Sequence, residues 1–474
     1  REEFAQNKSV FICLPQNEEV RQMKEKLERG IEPFVCIFHK EMTKKEFRNE
    51  IKKVSETSHP ILIIASARWL FLPREDLGTI IIEKENASGW RTLSRPFLDL
   101  RLFAENFAKQ KKIKLIYGDS FLRVETLYRY KQTEAAEFET VKWRIPKEAE
   151  TKLVDLREST KKEFRVLSPE LCDLIQKTLN KKENIFIFAA RKGISPVTVC
   201  RDCGEQVKCS NCDSPMVLYR TKNGGAFKCH QCGETRDAAE ICQKCHSWKL
   251  AAFGSGVDRV AEEIKKNFPD AKLFEINKDL TSTDNKAKLV ADEFYKNHGA
   301  ILLGTEMAFP FLQKKVAVSS IVSFDSLFSI PDFRIREKIF GLILRVKSMA
   351  KETFLIQTRN LEDVTIEFAL SGNLLEFYKN EIEERKILNY PPFGIFIKIT
   401  ARGTKNFVGK EMEKIKEIFA KWNPAIFNST HEKRGEQSAI NAVIKLSRVE
   451  ENLIEKLKSL PPSFEIKVDP DNLL

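Results

Sequence analysis

The 474-residue chain lacks an apolar run long enough to cross a membrane: its longest, at 59–73, is interrupted by Arg68, whereas a spanning helix needs about 20 consecutive apolar residues. A membrane-embedded function is thereby excluded. No secretory leader opens the chain, so a cytoplasmic, reducing setting is expected. Low-complexity tracts are absent too, and 42% hydrophobic with 31% charged residues excludes wholesale disorder. Also missing is any GxxxxGK[ST] loop, the backbone cradle that phosphate-binding ATPases require. The chain begins at Arg1, inside a helix-like segment that runs into a strand, so further sequence is expected upstream.

Single hydrophobic cores stop growing near roughly 250 residues, so a chain of this length should form two to four domains. Short Ile-, Val- and Phe-rich runs at 10–14, 34–38, 61–64, 79–82 and 113–117 alternate with charged segments of helical period. A second series follows at 185–189, 272–276, 300–303, 318–324 and 353–357. Such βαβα alternation predicts two tandem α/β lobes, each a parallel sheet covered by helices on both faces. From about residue 371, a helix at 376–389, Pro391–Pro392, and strands at 395–400, 439–445 and 465–468 predict a separate small α+β domain.

The formal charge of +12, from 80 Lys+Arg against 68 Asp+Glu, favours an anionic partner such as nucleic acid. Solvated helix faces account for a lysine excess equally well. Cysteine decides more. Eight of the 11 fall in one block, as Cys200-x2-Cys203, Cys209-x2-Cys212, Cys229-x2-Cys232 and Cys242-x2-Cys245, with Gly224–Gly225 as an expected turn in the middle. Each CxxC turn is half of a tetrahedral four-thiolate zinc site, and Gly204 and Gly233 allow the sharp turn behind it. Four halves make two zinc ions, inserted between the first two strands of the second series. Closed all-cysteine sites hold structure rather than catalyse. A disulfide scaffold or an iron–sulfur cluster fits the compartment and spacing less well. Cys13, Cys36 and Cys172 lie in apolar contexts where inert, buried thiols are expected.

With this two-zinc insert in place, the flanking words become informative. They include Val154–Asp155–Leu156–Arg157, Leu167–Ser168–Pro169–Glu170–Leu171 and Arg191–Lys192–Gly193 before the cysteines. Gly254–Ser255–Gly256, Phe268–Pro269, Gly304–Thr305–Glu306–Met307, Pro331–Asp332–Phe333–Arg334 and Gln357–Thr358 come after them. Glu384–Arg385–Lys386, Tyr390–Pro391–Pro392–Phe393 and Val468–Asp469–Pro470 close the series. In content and order these words resemble the primosomal protein N-prime (PriA) family of replication-restart helicases. The resemblance implies two tandem RecA-like helicase lobes with a two-zinc, eight-cysteine insertion in the second lobe and a small α+β C-terminal domain. The implied boundaries are 1–145 for lobe 1, 146–199 and 247–370 for lobe 2, 200–246 for the insertion and 371–474 for the last domain. Carried over from the family, Cys200, Cys203, Cys242 and Cys245 would hold one zinc and Cys209, Cys212, Cys229 and Cys232 the other. Spacing alone leaves pairing of adjacent motifs open.

The family also implies ATP and Mg2+, forked or branched DNA bound without sequence preference, and primosome and single-stranded-DNA-binding proteins as partners. Its catalytic words are altered here. The Asp-Glu-Glu-His word falls on Glu83–Lys84–Glu85–Asn86, which aligns a carboxylate for water and magnesium with Lys84. The Gly-Ser-Ala-Thr-Pro word falls on Gly118–Asp119–Ser120–Phe121–Leu122, and Gly-Arg-Ala-Gly-Arg on Ser348–Met349–Ala350–Lys351–Glu352. Met349 and Glu352 thus replace two arginines; loss of one such finger costs about three to five orders of magnitude in phosphoryl transfer. Arg334, Arg336 and Lys347 are the neighbouring cations that could substitute. Arg101, Arg191 and Lys192 are the expected DNA contacts, with Lys208, Arg220, Lys222 and Lys228 of the insert beside them. The expectation is a DNA-binding restart protein with structural zinc and an inactive ATPase core. The alternative is an active ATP-dependent helicase whose phosphate-binding loop lies upstream.

Overall fold

The computed structural model describes the chain apart from residues 88, 93, 141, 147, 160–164, 191–196, 201, 204, 211–215, 222–223, 230–233, 238–240, 254–256, 282, 331, 429–437, 449 and 471–474. It divides into two compact units, Arg1–Val141 and Lys142–Leu474. No helix among the described residues is long and apolar enough to cross a membrane.

The first unit is built on five parallel strands: β1 (Ser9–Cys13), β2 (Val35–Phe38), β3 (Leu62–Ala65), β4 (Leu77–Glu83) and β5 (Lys114–Gly118). Their order is β2-β3-β1-β4-β5. Every residue of β3 is buried, as a strand covered on both faces must be. The alternation of side chains separates two cores: Phe11, Cys13, Ile63 and Ile80 on one face, and Ile12, Leu14, Leu62 and Ile64 on the other. Helix Lys44–Glu56 starts at a capping box, with Thr43 accepting from the Glu46 N–H and Glu46 accepting from the Thr43 N–H. Cys13 and Cys36 are buried, and desolvation pushes the Cys36 thiol up to about 12, so both are packing residues.

In the second unit, β6 (Glu150–Asp155) and β7 (Ile185–Ala189) precede the insertion. Within the insertion, β8 (Val197–Cys200) pairs antiparallel with β12 (Leu250–Phe253). Between these two lie β9 (Met216–Thr221), β10 (Gly224–Cys229) and β11 (Thr235–Asp237), a three-stranded antiparallel sheet in the order β11-β10-β9. The expected Gly224–Gly225 turn is displaced: both glycines begin β10, opposite Thr221 and Arg220. The main sheet resumes with β13 (Lys272–Ile276), β14 (Ala300–Gly304), β15 (Val316–Ser323) and β16 (Ala350–Thr358). All six main strands are parallel, in the order β13-β14-β7-β15-β16-β6.

The last segment folds as an antiparallel sheet of β17 (Ile395–Gly403), β18 (Ala425–Asn428), β19 (Ser438–Leu446) and β20 (Glu465–Val468), ordered β18-β19-β17-β20. Its core joins Ile397, Ile399 and Ile444 of the strands to Val408, Met412 and Ile415 of helix Lys405–Ile418. The fold is thus α/β with two parallel sheets, an inserted antiparallel module and a small α+β segment.

Candidate functional site

In the insertion, β8 ends on Cys200, directly opposite Leu250 of β12. Two matching knuckles follow: the Cys200 N–H donates to Glu205 O at 2.8 Å and the Cys242 N–H to Ser247 O at 2.8 Å. They are cross-linked by Lys244 to Glu205 at 2.9 Å and by Ser247 Oγ to Asp202 at 2.6 Å. The result is a cluster of Cys200, Cys203, Cys242 and Cys245 whose four sulfurs lie within 4.8 Å of one another. Cys200 Sγ lies 3.5 Å from Cys245 Sγ, and Cys203 Sγ 3.6 Å from Cys242 Sγ. A tetrahedral ion with bonds of about 2.3 Å holds its sulfurs roughly 3.8 Å apart, so the four thiols fit a zinc ion. Burial opposes ionisation of Cys200, yet the N–H groups of Cys203 and Asp202 aimed at its sulfur bring the thiol below its ordinary value. Outer motifs are therefore brought together, as the family pairing implies, and adjacent ones are not.

The inner quartet falls largely outside the described residues: Cys212 and Cys232 are not described, nor is the side chain of Cys229. Cys209 is buried against Met216 and Phe227, and its thiol donates to Glu234 at 2.6 Å. His246, outside the four-thiol cluster, has φ of 57° where the second knuckle turns.

In the first unit, Glu83 ends β4 and Lys84 turns the chain with φ of 59°. Its carbonyl accepts from the Trp90 indole N–H at 2.9 Å. The Lys84 ammonium lies 2.7 Å from Glu19 of helix Asn17–Leu27. Glu85 is buried and points toward the neighbouring helix, accepting from the Arg123 N–H at 3.2 Å and from Thr126. Burial raises the carboxyls of Glu83, Glu85 and Asp119, and Asp119 adds to the effect on Glu83. Of these carboxylates Glu85 is engaged by Thr126 and Arg123, and Lys84 beside it in sequence pairs with Glu19.

Arg101 departs from expectation. It is buried, gripping Asp99 through Nε at 2.9 Å and Nη2 at 2.7 Å and donating from Nη1 to Glu85 O at 2.9 Å. Against the cost of burial, this guanidinium holds the Asp99 carboxyl down at about 2. Arg101 is accordingly a buried cation that fixes the Glu85 turn. Arg191 and Lys192 lie outside the described residues.

Of the lobe-two positions, Met349 follows helix Ile335–Lys347, and its carbonyl accepts from Val316 N–H. Glu352 is an exposed residue of β16, 3.4 Å from Lys181. The candidate substitutes are engaged elsewhere: Arg336 with Glu384 at 2.6 Å, Lys347 with the Leu370 carbonyl, and Arg334 over the Phe333 ring and near Asp469 O at 3.4 Å.

Several residues that sequence reading had quoted only as words turn out to be joints. Gln357 accepts from Ser168 N–H and donates to Val166 O and Val322 O, stitching β16 to the start of helix Pro169–Asn180. Phe333 packs against Tyr390 and Phe396, with centroids 6.0 and 5.5 Å apart. Behind it Arg385, 1% exposed, bridges Glu337 at 2.7 Å and Glu381 at 2.8 Å. A half-buried group missed entirely is Asp325, which accepts from Thr358 and from Arg359 N–H at the carboxyl ends of β15 and β16.

No protein-family profile matches the chain. The replication restart protein PriA of Bacillus subtilis is 28% identical over 82% of this chain and 49% of its own length. The PriA proteins of Synechocystis and Thermotoga maritima are 24% and 25% identical, over 88% and 93% of this chain and 52% and 60% of theirs. The chain thus spans about half the length of the first of these relatives. Solved structures of similar course include RecG bound to a three-way DNA junction, 11% identical over 80% of this chain and 40% of that one, with a TM-score of 0.40; at that score the likeness adds nothing to the strand order itself. By sequence, over most of its length, the chain is a divergent relative of the replication restart protein PriA.

Proposed function

We propose that the chain serves replication restart as a DNA-binding scaffold, holding two zinc ions in its insertion and lacking a working ATPase. The supporting relatives are restart proteins, matched over most of this chain. The observation that carries the inactive reading is Lys84, which stands between Glu83 and Glu85 in sequence and whose ammonium pairs with Glu19. Zinc, held by Cys200, Cys203, Cys242 and Cys245 and by the inner quartet Cys209, Cys212, Cys229 and Cys232, would supply folding free energy to the module and no chemistry. Its partners would be forked or branched DNA, bound mainly through phosphates, with primosome and single-stranded-DNA-binding proteins assembling on it in the cytoplasm. Arg191, Lys192 and the insert cations Lys208, Arg220, Lys222 and Lys228 are the proposed phosphate contacts.

The test is phosphate release by the full-length protein with magnesium and forked DNA, paired with fork binding at two salt concentrations. Binding that weakens steeply with salt, without release above background, is expected. Turnover near roughly one per second, within the ordinary enzyme range, would refute the inactive reading.

A further inference from the structure

At the carboxyl ends of β2 and β3 the first unit carries a run of aromatic rings that begins in its core and ends in solvent. Phe38 at the end of β2 packs on Trp69 with centroids 5.4 Å apart, Phe47 meets Trp69 at 5.5 Å, and Trp69 meets Phe71 at 5.7 Å with a tilt of 34°. The series therefore climbs from the interior to solvent: Phe38 is fully buried and Phe71 is 67% exposed.

Phe71 is also held firmly. Its neighbours Leu70 and Leu72 are both buried and act as anchors on either side. The chain then leaves through Arg74, which donates to the carbonyls of Val54, Thr57 and His59 and pairs with Asp76. A large ring kept in water between two anchors gains nothing for folding from its position. Its rotamer entropy, however, is already reduced by the Trp69 contact, which lowers the cost of stacking a further ring on it.

Charge around the rings favours an anionic occupant over an apolar protein face. Lys40, Lys44, Arg48 and Arg68 are exposed on the segments that carry Phe38, Phe47 and Trp69. The acids nearby are committed: Glu41 to Arg21, and Glu46 to the Thr43 N–H. In open parallel sheets, ligands bind beyond the carboxyl ends of the strands, where these rings stand. Stacked aromatics among cations are the means by which proteins hold single-stranded nucleic acid irrespective of sequence.

Resting on the DNA-binding reading above, we propose that Phe71, backed by Trp69, is a stacking platform for an unpaired DNA base, with Lys40, Arg48 and Arg68 taking the adjacent phosphates. The platform would give the first unit a preference for single strands that phosphate contacts alone do not supply.

Fluorescence anisotropy with a labelled oligo-dT single strand and a blunt duplex of equal length tests this, using the full chain with Phe71→Ala and Phe71→Trp. Because Phe71 is mostly in solvent, neither change should disturb folding, which circular dichroism checks. Phe71→Ala is expected to weaken single-strand binding about five-fold or more, the effect of one stacked base, and to leave duplex binding unchanged. Phe71→Trp should retain affinity, and its added indole emission should be quenched by the single strand. Equal single-strand affinity of Phe71→Ala and the parent, or equal loss on both DNAs, would overturn the platform while leaving the DNA-binding reading intact. A parent chain that binds neither DNA would overturn both.

Discussion

Removing the charge of Lys84 should destabilise the first unit. Glu19, its partner at 2.7 Å, is 2% exposed, and Glu19 Oε2 has no hydrogen-bond partner among the described residues. In Lys84→Met the Glu19 charge would stay buried with its cation gone. Fully buried pairs broken from one side lose about 3–5 kcal/mol, and exposed pairs about 0.2–1 kcal/mol. Lys84 is 36% exposed, which places the loss between these limits, at about 2 kcal/mol. Lys84→Glu should be worse, since it adds an acid among Glu19, Glu83 and Asp119, and Glu19→Gln should partly rescue it. A double-mutant cycle of Lys84→Met and Glu19→Gln isolates the pair. Hydrogen exchange of β1 and β4 amides confines the readout to this unit. Coupling near 2 kcal/mol corresponds to roughly 6 °C in the unfolding midpoint of a unit this size, and should shrink with salt. A coupling below about 0.5 kcal/mol would refute the compensation argument.

Metal analysis of the purified protein should return two zinc ions, Cys245→Ser should lose one of them and loosen β8 from β12, and Cys209→Ser should lose the other; one zinc or none in the parent would contradict the nested sites. Glu381 is raised to about 7, chiefly by burial and despite Arg385, with Glu337 adding to the rise. Its folded state therefore holds a proton that the unfolded chain, titrating near 4.5, has already released, so this group's contribution to stability falls as pH rises from about 4.5 to about 7. Glu381→Gln should flatten that slope in urea titrations across the window, and an unchanged slope would reassign it. Arg385→Met, which leaves Glu337 and Glu381 facing each other without the guanidinium, should cost about 3–5 kcal/mol and less at pH 5 than at pH 8, as chemical denaturation at the two pH values would show.

Strands were the most legible part of the sequence, because a strand buried on both faces must be a short apolar run. Those at 185–189 and 300–303 fall on β7 and β14, which are buried along their whole length. The edge strand β6 was not legible. Its sequence Glu150-Thr-Lys-Leu-Val-Asp155 carries polar and charged side chains outward, with only Val154 buried, and pairs on one side alone. In the candidate metal centre the ligand type was legible from CxxC spacing, whereas the pairing needed the matched knuckles, which depend on Glu205 and Ser247 carbonyls that no spacing rule identifies. The burial of Arg101 was not legible either, since its sequence neighbourhood does not say which partner takes its charge. Only the buried Asp99 beside it reveals an internal pair.

The altered and the retained words differ in what a change would cost. Gln357 satisfies Ser168 N–H and two carbonyls inside the second unit. Replacing it would leave buried polar groups unpaired, at about 1–3 kcal/mol for each group. Phe333 and Tyr390 share a ring packing that shorter side chains would hollow out. Stability alone is reason enough to keep such residues. Glu352, by contrast, pairs with Lys181 in solvent, where an arginine, a glutamate or neither makes little difference to folding. Lys84 is the intermediate case, since its change of sign is tolerable only because Glu19 answers it. A chain needed for folding and binding, but not for phosphoryl transfer, would lose the residues whose value lay in the transition state and keep those whose value lies in the fold. The joints here are intact, Glu352 is exposed and Lys84 is locally neutralised.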